Sequence, residues 1–277
     1  MKDIQNQPDS RRINIQKVGV KHISYPITVL DRENTSQKTV ATVNMYVNLP
    51  HHFKGTHMSR FVEILNHFHG EINLKNFHQI LTDMKGRLQA QAAHLQIDFP
   101  YFCQRAPRDS PLPPEGLGLS RHLLSEYHCA MHGSLDKKDD LVVTVEVPIY
   151  PPSPSQQDFA LPRSLGHWGL ATVSVRLRHF IWLEDLIDGV ETVTSHNLHW
   201  EGKDSPPLQT PLEVEAITQA IGCCLQANPA ICWFSITVKN YSEGCNTFAS
   251  LTWPEETSPQ SCRTQPFPHR PRPDHTA

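Results

Sequence analysis

The chain has 277 residues, which is enough for one large domain or two small ones with a substantial hydrophobic core. Its formal net charge is -3 at pH 7, so composition gives no indication of a nucleic-acid or anionic-lipid partner. No apolar run approaches the length of a membrane span, and the polar N-terminus has no signal-peptide core. We therefore expect a cytoplasmic protein that binds neither nucleic acid nor membrane.

The first half of the chain alternates strand and helix patterns. Residues 1–16 are predicted to be a flexible lead, and a helix capped by Thr56 is predicted to follow the second strand. Its apolar stripe is Met58, Phe61, Val62, Leu65 and Phe68. A second helix is predicted to start near Asn73. Strands are predicted over 18–30, 43–49, 94–102 and 141–149.

The second half repeats this pattern more loosely. A strand over 171–182 is followed by an amphipathic helix over 183–193. Thr210 and Glu213 form a capping box that opens another helix, and a strand is predicted over 231–240. The proline-rich residues 254–277 are predicted to be disordered. Antiparallel sheets backed by helix pairs, roughly twice over, indicate an α+β architecture.

Cysteine and histidine usage gives no definite metal site. The seven cysteines are odd in number and include no C-x-x-C pair, so neither a disulfide framework nor a simple zinc knuckle is predicted. The histidine clusters HHFKGTH and NHFHG leave a metal site open, although surface histidines in loops and at helix ends are the favoured interpretation.

Two segments carry candidate binding chemistry. Lys54, His57 and Arg60 surround a glycine and a helix start, a setting that favours phosphate, whereas the alternative is a solvated loop before a capped helix. Glu215 lies on the helix that Thr210 opens, and its carboxylate can accept two parallel N–H bonds from a guanine or pterin edge. The alternative is an exposed glutamate that the helix dipole stabilises.

Longer stretches resemble a known family. The segments RRINIQKVGVKHISYPITVLD, KGTHMSRFVEIL, FPYF, FIWLEDLIDGVE and NPAICWFSI closely resemble the type IB GTP cyclohydrolases over roughly residues 3–250. The resemblance implies a tunnelling fold of two tandem modules, which we place at 17–150 and 151–253, and a homotetramer with active sites between subunits. It also implies conversion of GTP and water to 7,8-dihydroneopterin triphosphate and formate, at the entry to folate and other pterins.

The sequence departs from the family's pattern at the ligands of the divalent metal (Zn, Mn or Fe) that the resemblance implies. Ser153 stands at the position of the family's catalytic, metal-binding cysteine, and Leu165 stands where a histidine is expected. A serine oxygen is a poor ligand for zinc-like metals, whereas thiolate binds strongly. Replacement ligands could come from Cys245, His167 and Glu201.

The substrate residues that the resemblance implies are better preserved. Glu215 matches the glutamate that anchors the guanine, and Lys54, His57 and Arg60 lie in the matching K-G-T-H-M-S-R-F block. Two hypotheses follow. The first is a working GTP cyclohydrolase with a rebuilt metal site. The second is a metal-free paralogue that keeps a purine or pterin pocket and has a regulatory or binding role.

Overall fold

Within the part of the chain that the structure describes, nine strands form a single sheet. The computed structural model describes residues 15–49, 57–105, 123–137, 139–149, 169–197, 214–241 and 246–254. The strands are β1 Ile15–Asp31, β2 Thr35–Leu49, β3 Glu71–Ile72, β4 Ala93–Arg105, β5 Leu123–Leu135, β6 Asp139–Ile149, β7 Gly169–Leu177, β8 Ile231–Tyr241 and β9 Asn246–Trp253. Their order in the sheet is β3-β1-β2-β4-β5-β6-β7-β8-β9. The short β3 is parallel to β1, and the other neighbours are antiparallel.

Four helices cover one face of the sheet in two pairs. They are α1 Ser59–His67, α2 Leu74–Arg87, α3 Leu183–Asn197 and α4 Val214–Gln226. The first pair, α1 and α2, packs mainly through α2 on β4 and β5, and the second pair packs through α3 on β6 and through α4 on β8 and β9. A Cβ added to Gly133 would lie 2.2 Å from Cε1 of Phe77, so only glycine lets α2 lie this close to β5.

The register of the strands places every second side chain in one core. The paired positions Val43, Ile97, Met131, Val143, Val175 and Phe234 run across the sheet and are all buried. Because side chains alternate along a strand, the intervening positions lie on the opposite face, which the helices leave uncovered. That helix-free face carries polar pairs such as Thr144 and Ser174, whose hydroxyl oxygens are 2.8 Å apart.

The prediction of two tandem modules is wrong. β6 pairs with β5 on one edge and with β7 on the other, from Val143 opposite Val175 to Ile149 opposite Gly169. The ladder therefore joins the strands on either side of the boundary predicted at residue 150. The physical reason is that a strand with one unpaired edge leaves a row of backbone N–H and C=O groups without partners, and β7 satisfies that edge of β6.

Other predictions have mixed outcomes. α2 starts next to Asn73 as predicted, and Asn73 is its N-cap, since its side-chain oxygen accepts a hydrogen bond from the Asn76 amide at 2.9 Å. α1 instead has Met58 as its N-cap without a side-chain cap bond, so the prediction of Thr56 is wrong. Residues 1–14, 210–213 and 255–277 lie outside the described part, so the flexible lead, the Thr210 capping box and the disordered tail stay predictions, as do the domain boundaries at 16/17 and 253/254.

The cysteines and the helices bear on two further expectations. Cys103, Cys129, Cys223 and Cys224 are outside disulfides, whereas Cys232 is disulfide-bonded. A disulfide was not expected from the cysteine spacing. No helix within the described ranges is long and apolar enough to cross a membrane.

Candidate functional site

The structure describes three of the predicted site residues: His57, Arg60 and Glu215. The others, which are Lys54, Ser153, His167, Glu201 and Cys245, lie outside the described residues.

His57 and Arg60 lie together where α1 begins. The backbone N–H of Arg60 donates to the carbonyl of His57 at 3.1 Å, and both side chains are half-buried. Because Met58 makes no side-chain cap bond, no N-cap side chain competes for the first amide groups of α1. Lys54 precedes this turn by three residues in the chain. The predicted phosphate segment thus includes two cationic or potentially cationic side chains at one helix start.

Glu215 lies on the other helix pair. It is exposed in the first turn of α4, and its neighbours Val214 and Ile217 are buried against the sheet. α4 packs on β8 and β9, whereas α1 belongs to the pair over β4 and β5. In the strand order, two strands, β6 and β7, lie between these regions. Among the described residues, a single subunit therefore does not bring Glu215 to His57 and Arg60.

A buried polar cluster, which the sequence analysis did not predict, joins the β1–β2 turn to α3. Glu184 is 6% exposed, and its Oε1 accepts hydrogen bonds from the Tyr101 hydroxyl at 2.7 Å and from the Arg32 amide at 2.8 Å. Burial, assisted by the hydrogen bond to Glu184, raises the pKa of Tyr101 well above its ordinary value. The phenol therefore stays protonated and keeps donating. Asp31 is also buried and accepts from the Glu33 and Asn34 amides.

This cluster borders a cavity of about 200 Å³ that Phe102, Gln104 and Glu184 help to line. Among the described residues, Oε2 of Glu184 has no hydrogen-bond partner. A local signal for the cluster was present, since Tyr101 occupies an inward position of β4 and Asp31 opens a turn. The hydrogen bond joins Tyr101 to Glu184, which are far apart in sequence, so it could not be predicted from sequence spacing.

We expect Glu184→Ala to destabilise the protein by about 2–4 kcal/mol, because the buried Tyr101 hydroxyl and Arg32 amide would lose their acceptor. Urea unfolding followed by circular dichroism measures this change. Glu184→Gln keeps one acceptor oxygen and should cost less. Asp188→Ala is the control, since its carboxylate makes a 3.4 Å surface ion pair with Arg32, worth about 0–1 kcal/mol. Equal losses for Asp188→Ala and Glu184→Ala would contradict this role for the cluster.

The described residues do not by themselves supply a metal centre. No group of three His, Cys, Asp or Glu side chains within the described ranges is arranged to bind a metal ion. The candidate ligands Cys245, His167 and Glu201 belong to the remaining residues. As a donor set, a thiolate, an imidazole and a carboxylate match the ligands that zinc-like metals prefer.

Comparison with known proteins decides the family. A family model described as type I GTP cyclohydrolase folE2 matches residues 1–200. GTP cyclohydrolase FolE2 of Syntrophotalea carbinolica is 40% identical over 266 residues, which cover 93% of this chain and 97% of the relative. The chain belongs to the type I GTP cyclohydrolase folE2 family. GTP cyclohydrolase FolE2 of Pelobacter propionicus is 42% identical over 248 residues, covering 87% of this chain and 93% of the relative.

Membership of the folE2 family confirms the resemblance to the type IB enzymes. The match is to folE2, and it does not support the wider grouping with the tunnelling-fold cyclohydrolase I family that the sequence analysis implied.

Solved structures that share the fold include urate oxidases. A highly active mutant of the Bacillus sp. TB-90 enzyme has a TM-score of 0.54 at 8% identity, with 86% of this chain and 99% of that chain covered. The Bacillus subtilis 168 enzyme has a TM-score of 0.51 at 12% identity, with 85% and 97% covered. At such identities the likeness concerns the fold alone.

Proposed function

We propose that the protein is a GTP cyclohydrolase that converts GTP and water to 7,8-dihydroneopterin triphosphate and formate, for folate or another pterin. The observation that carries this proposal is 40% identity to a FolE2 cyclohydrolase over 97% of that relative's length. The predicted activity is confirmed at the level of the family, which is a family of GTP cyclohydrolases.

The test is an assay of the purified protein with GTP. Oxidation and dephosphorylation of the product give fluorescent neopterin, which is quantified together with released formate. We expect the two products in equal amounts, because the reaction releases one formate per pterin formed. Protein that binds GTP and releases neither product would instead support the metal-free paralogue.

In our proposal, different residues of this chain bind the base and the phosphates of the substrate. Glu215 accepts the N–H groups of the guanine edge, and Lys54, His57 and Arg60 bind or brace the phosphates. Both parts suit their ligands in charge: the carboxylate faces a hydrogen-bond-donating base, and the cations face a polyanion. Ser153 stands at the family's cysteine position and takes neither role.

The separation of Glu215 from α1 supports an active site completed by a second copy of the chain, within a homo-oligomer that we propose to be a tetramer. β9 pairs only with β8 among the described strands, so none of these strands covers its other edge. Phe248 on β9 is 70% exposed. An exposed edge with a large apolar side chain is suited to association with another subunit.

A divalent metal of the zinc, manganese or iron type would be bound by Cys245, His167 and Glu201 in this proposal. When bound, such a metal supplies activation of a water molecule at neutral pH.

One observation favours the metal-free paralogue as a second candidate. Two of the positions where the resemblance implies metal ligands carry Ser153 and Leu165, and neither side chain is a competent ligand for a zinc-like metal. A paralogue of this kind would keep the purine or pterin pocket and lose turnover.

We expect Lys54→Ala and Arg60→Ala each to weaken GTP binding about tenfold and guanosine binding less than about twofold, because only GTP carries the phosphate charge that they meet. Isothermal titration with both ligands measures the difference. Lys21→Ala is a matched control, because Lys21 is an exposed cation on β1 outside the predicted phosphate segment. Equal losses for GTP and guanosine would show that Lys54 and Arg60 have a structural role instead.

A further inference from the structure

Aromatic and cationic side chains meet on the helix-free face of the sheet, across β1, β2, β4 and β5. Tyr46 and His94 are direct cross-strand partners, and their rings stack with centroids 4.6 Å apart and planes 14° apart. Nζ of Lys17 lies 4.5 Å from the centroid of the Tyr46 ring. His132 pairs with Gln96, which places it diagonally beside His94 on the same face. We call Lys17, Tyr46, His94 and His132 the Lys17 cluster.

The backbone of β1 explains why Lys17 lies over Tyr46. The register between β1 and β2 shifts between Ile15 and Val18, so Lys17 sits in an irregular stretch and not in a regular pair. A Cβ on Gly19 would lie 1.9 Å from the carbonyl oxygen of Met45, so glycine is needed for the close approach of the two strands here.

Lys17 supplies the positive charge of the Lys17 cluster. The pKa of His94 is lowered first by burial and then by the charges of His132 and Lys17, whereas Asp136 opposes this effect. Of the other carboxylates on this face, Asp98 accepts a hydrogen bond from Nε2 of Gln96 at 3.0 Å. The lowered pKa favours the neutral imidazole of His94, which offers an N–H donor, and a bound anion would be attracted by Lys17.

The Lys17 cluster lies near the end of the sheet from which the predicted phosphate segment leaves. Ile15 pairs with Leu49, the last residue of β2, so the start of β1 adjoins the point where the chain continues toward Lys54. Tyr46 lies three residues before that end.

We propose that Lys17, His94 and His132 also bind the triphosphate of GTP. This inference rests on the proposed function, because GTP is the polyanion that a cyclohydrolase of this family must bind. Lys17 contributes a point charge, and the imidazoles contribute N–H donors to phosphate oxygens. Tyr46 positions Lys17 and His94 through its ring.

The experiment measures binding of GTP, guanosine and inorganic tripolyphosphate by isothermal titration to the full chain. We expect Lys17→Gln to raise the Kd for GTP and for tripolyphosphate about tenfold, and to leave the Kd for guanosine within about twofold. His94→Gln and His132→Gln should each show a smaller loss of the same kind. Lys17→Arg keeps the charge and should restore most of the affinity.

Lys239→Gln is the matched control, since Lys239 is an exposed lysine on the same face but on β8. Raising the salt concentration should weaken GTP binding less in Lys17→Gln than in the wild type, because fewer screened contacts remain. Equal losses for GTP and guanosine, or no loss in any of the variants of the Lys17 cluster, would overturn the inference.

The outcomes separate this inference from the proposed function. A wild-type protein that converts GTP while Lys17→Gln keeps the same KM and Kd would refute the triphosphate site alone. A wild-type protein that binds tripolyphosphate through Lys17 but forms no neopterin would refute the cyclohydrolase activity and leave the site standing. A wild-type protein that binds neither GTP nor tripolyphosphate would refute the site.

Discussion

Glu215→Ala is expected to raise the Kd for GTP about a hundredfold, because two N–H donors of the guanine edge would lose a charged acceptor worth about 1.5–3 kcal/mol per hydrogen bond. The fold should be unaffected, since Glu215 is exposed while Val214 and Ile217 beside it are buried in the core. Titration with GTP and with guanosine measures the loss, which should be similar for both ligands because both carry the guanine base.

Two further variants sharpen this prediction. Glu215→Gln keeps the shape of the side chain but places an amide donor opposite one base N–H, so its affinity should also fall. Gln219→Ala is the control, because Gln219 is an exposed residue one turn further along α4. Unchanged GTP affinity in Glu215→Ala, or an equal loss in Gln219→Ala, would refute the proposed guanine anchor.

Strong alternation of large apolar residues made most strands predictable. In β2 the buried positions are Val43, Met45 and Val47, and this pattern indicates a half-buried strand from the sequence alone. β5 was missed because its inward positions include Cys129 and Gly133, which give a weak periodic signal. β9 was missed because nearly all its residues are exposed on both faces, so no burial pattern marks it. Missing β5 and β9 concealed the single sheet.

The predicted site residues came from local motifs and from a family resemblance, and both concern residues near one another in sequence. Contacts between distant residues were not accessible in that way. Glu184 meets Tyr101, and Lys17 meets Tyr46, only because the sheet order places β1 beside β2 and α3 beside the β1–β2 turn. The N-cap of α1 was predicted two residues too early, at Thr56 instead of Met58. A threonine that is suited to capping does not decide at which turn the helix begins.

Wild-type protein is expected to carry one tightly bound transition metal per subunit, and Cys245→Ala or His167→Ala should remove both the metal and neopterin formation. The reason is that the proposed reaction needs an activated water, and thiolate and imidazole are strong donors to a zinc-type metal. Metal content by mass spectrometry and the neopterin assay measure the two effects. Ser153→Ala should change neither, because a serine hydroxyl is not a competent ligand.

The disulfide matters for this experiment, because Cys232 is disulfide-bonded and a cysteine in a disulfide cannot bind metal as a thiolate. The protein is therefore assayed after reduction, with Cys262→Ala as the control that leaves Cys245 intact.

Wild-type protein that contains no metal and forms no neopterin would refute the metal site proposed at Cys245, His167 and Glu201. It would favour the metal-free paralogue. In that case Ser153→Cys alone should gain little metal, since Leu165 still supplies no ligand, whereas Ser153→Cys with Leu165→His should gain affinity. A gain in metal without a gain in neopterin would then show that two restored ligands are not sufficient. The remaining deficit would lie in the placement of these ligands and in the hydrogen bonds that orient them, which two substitutions do not rebuild.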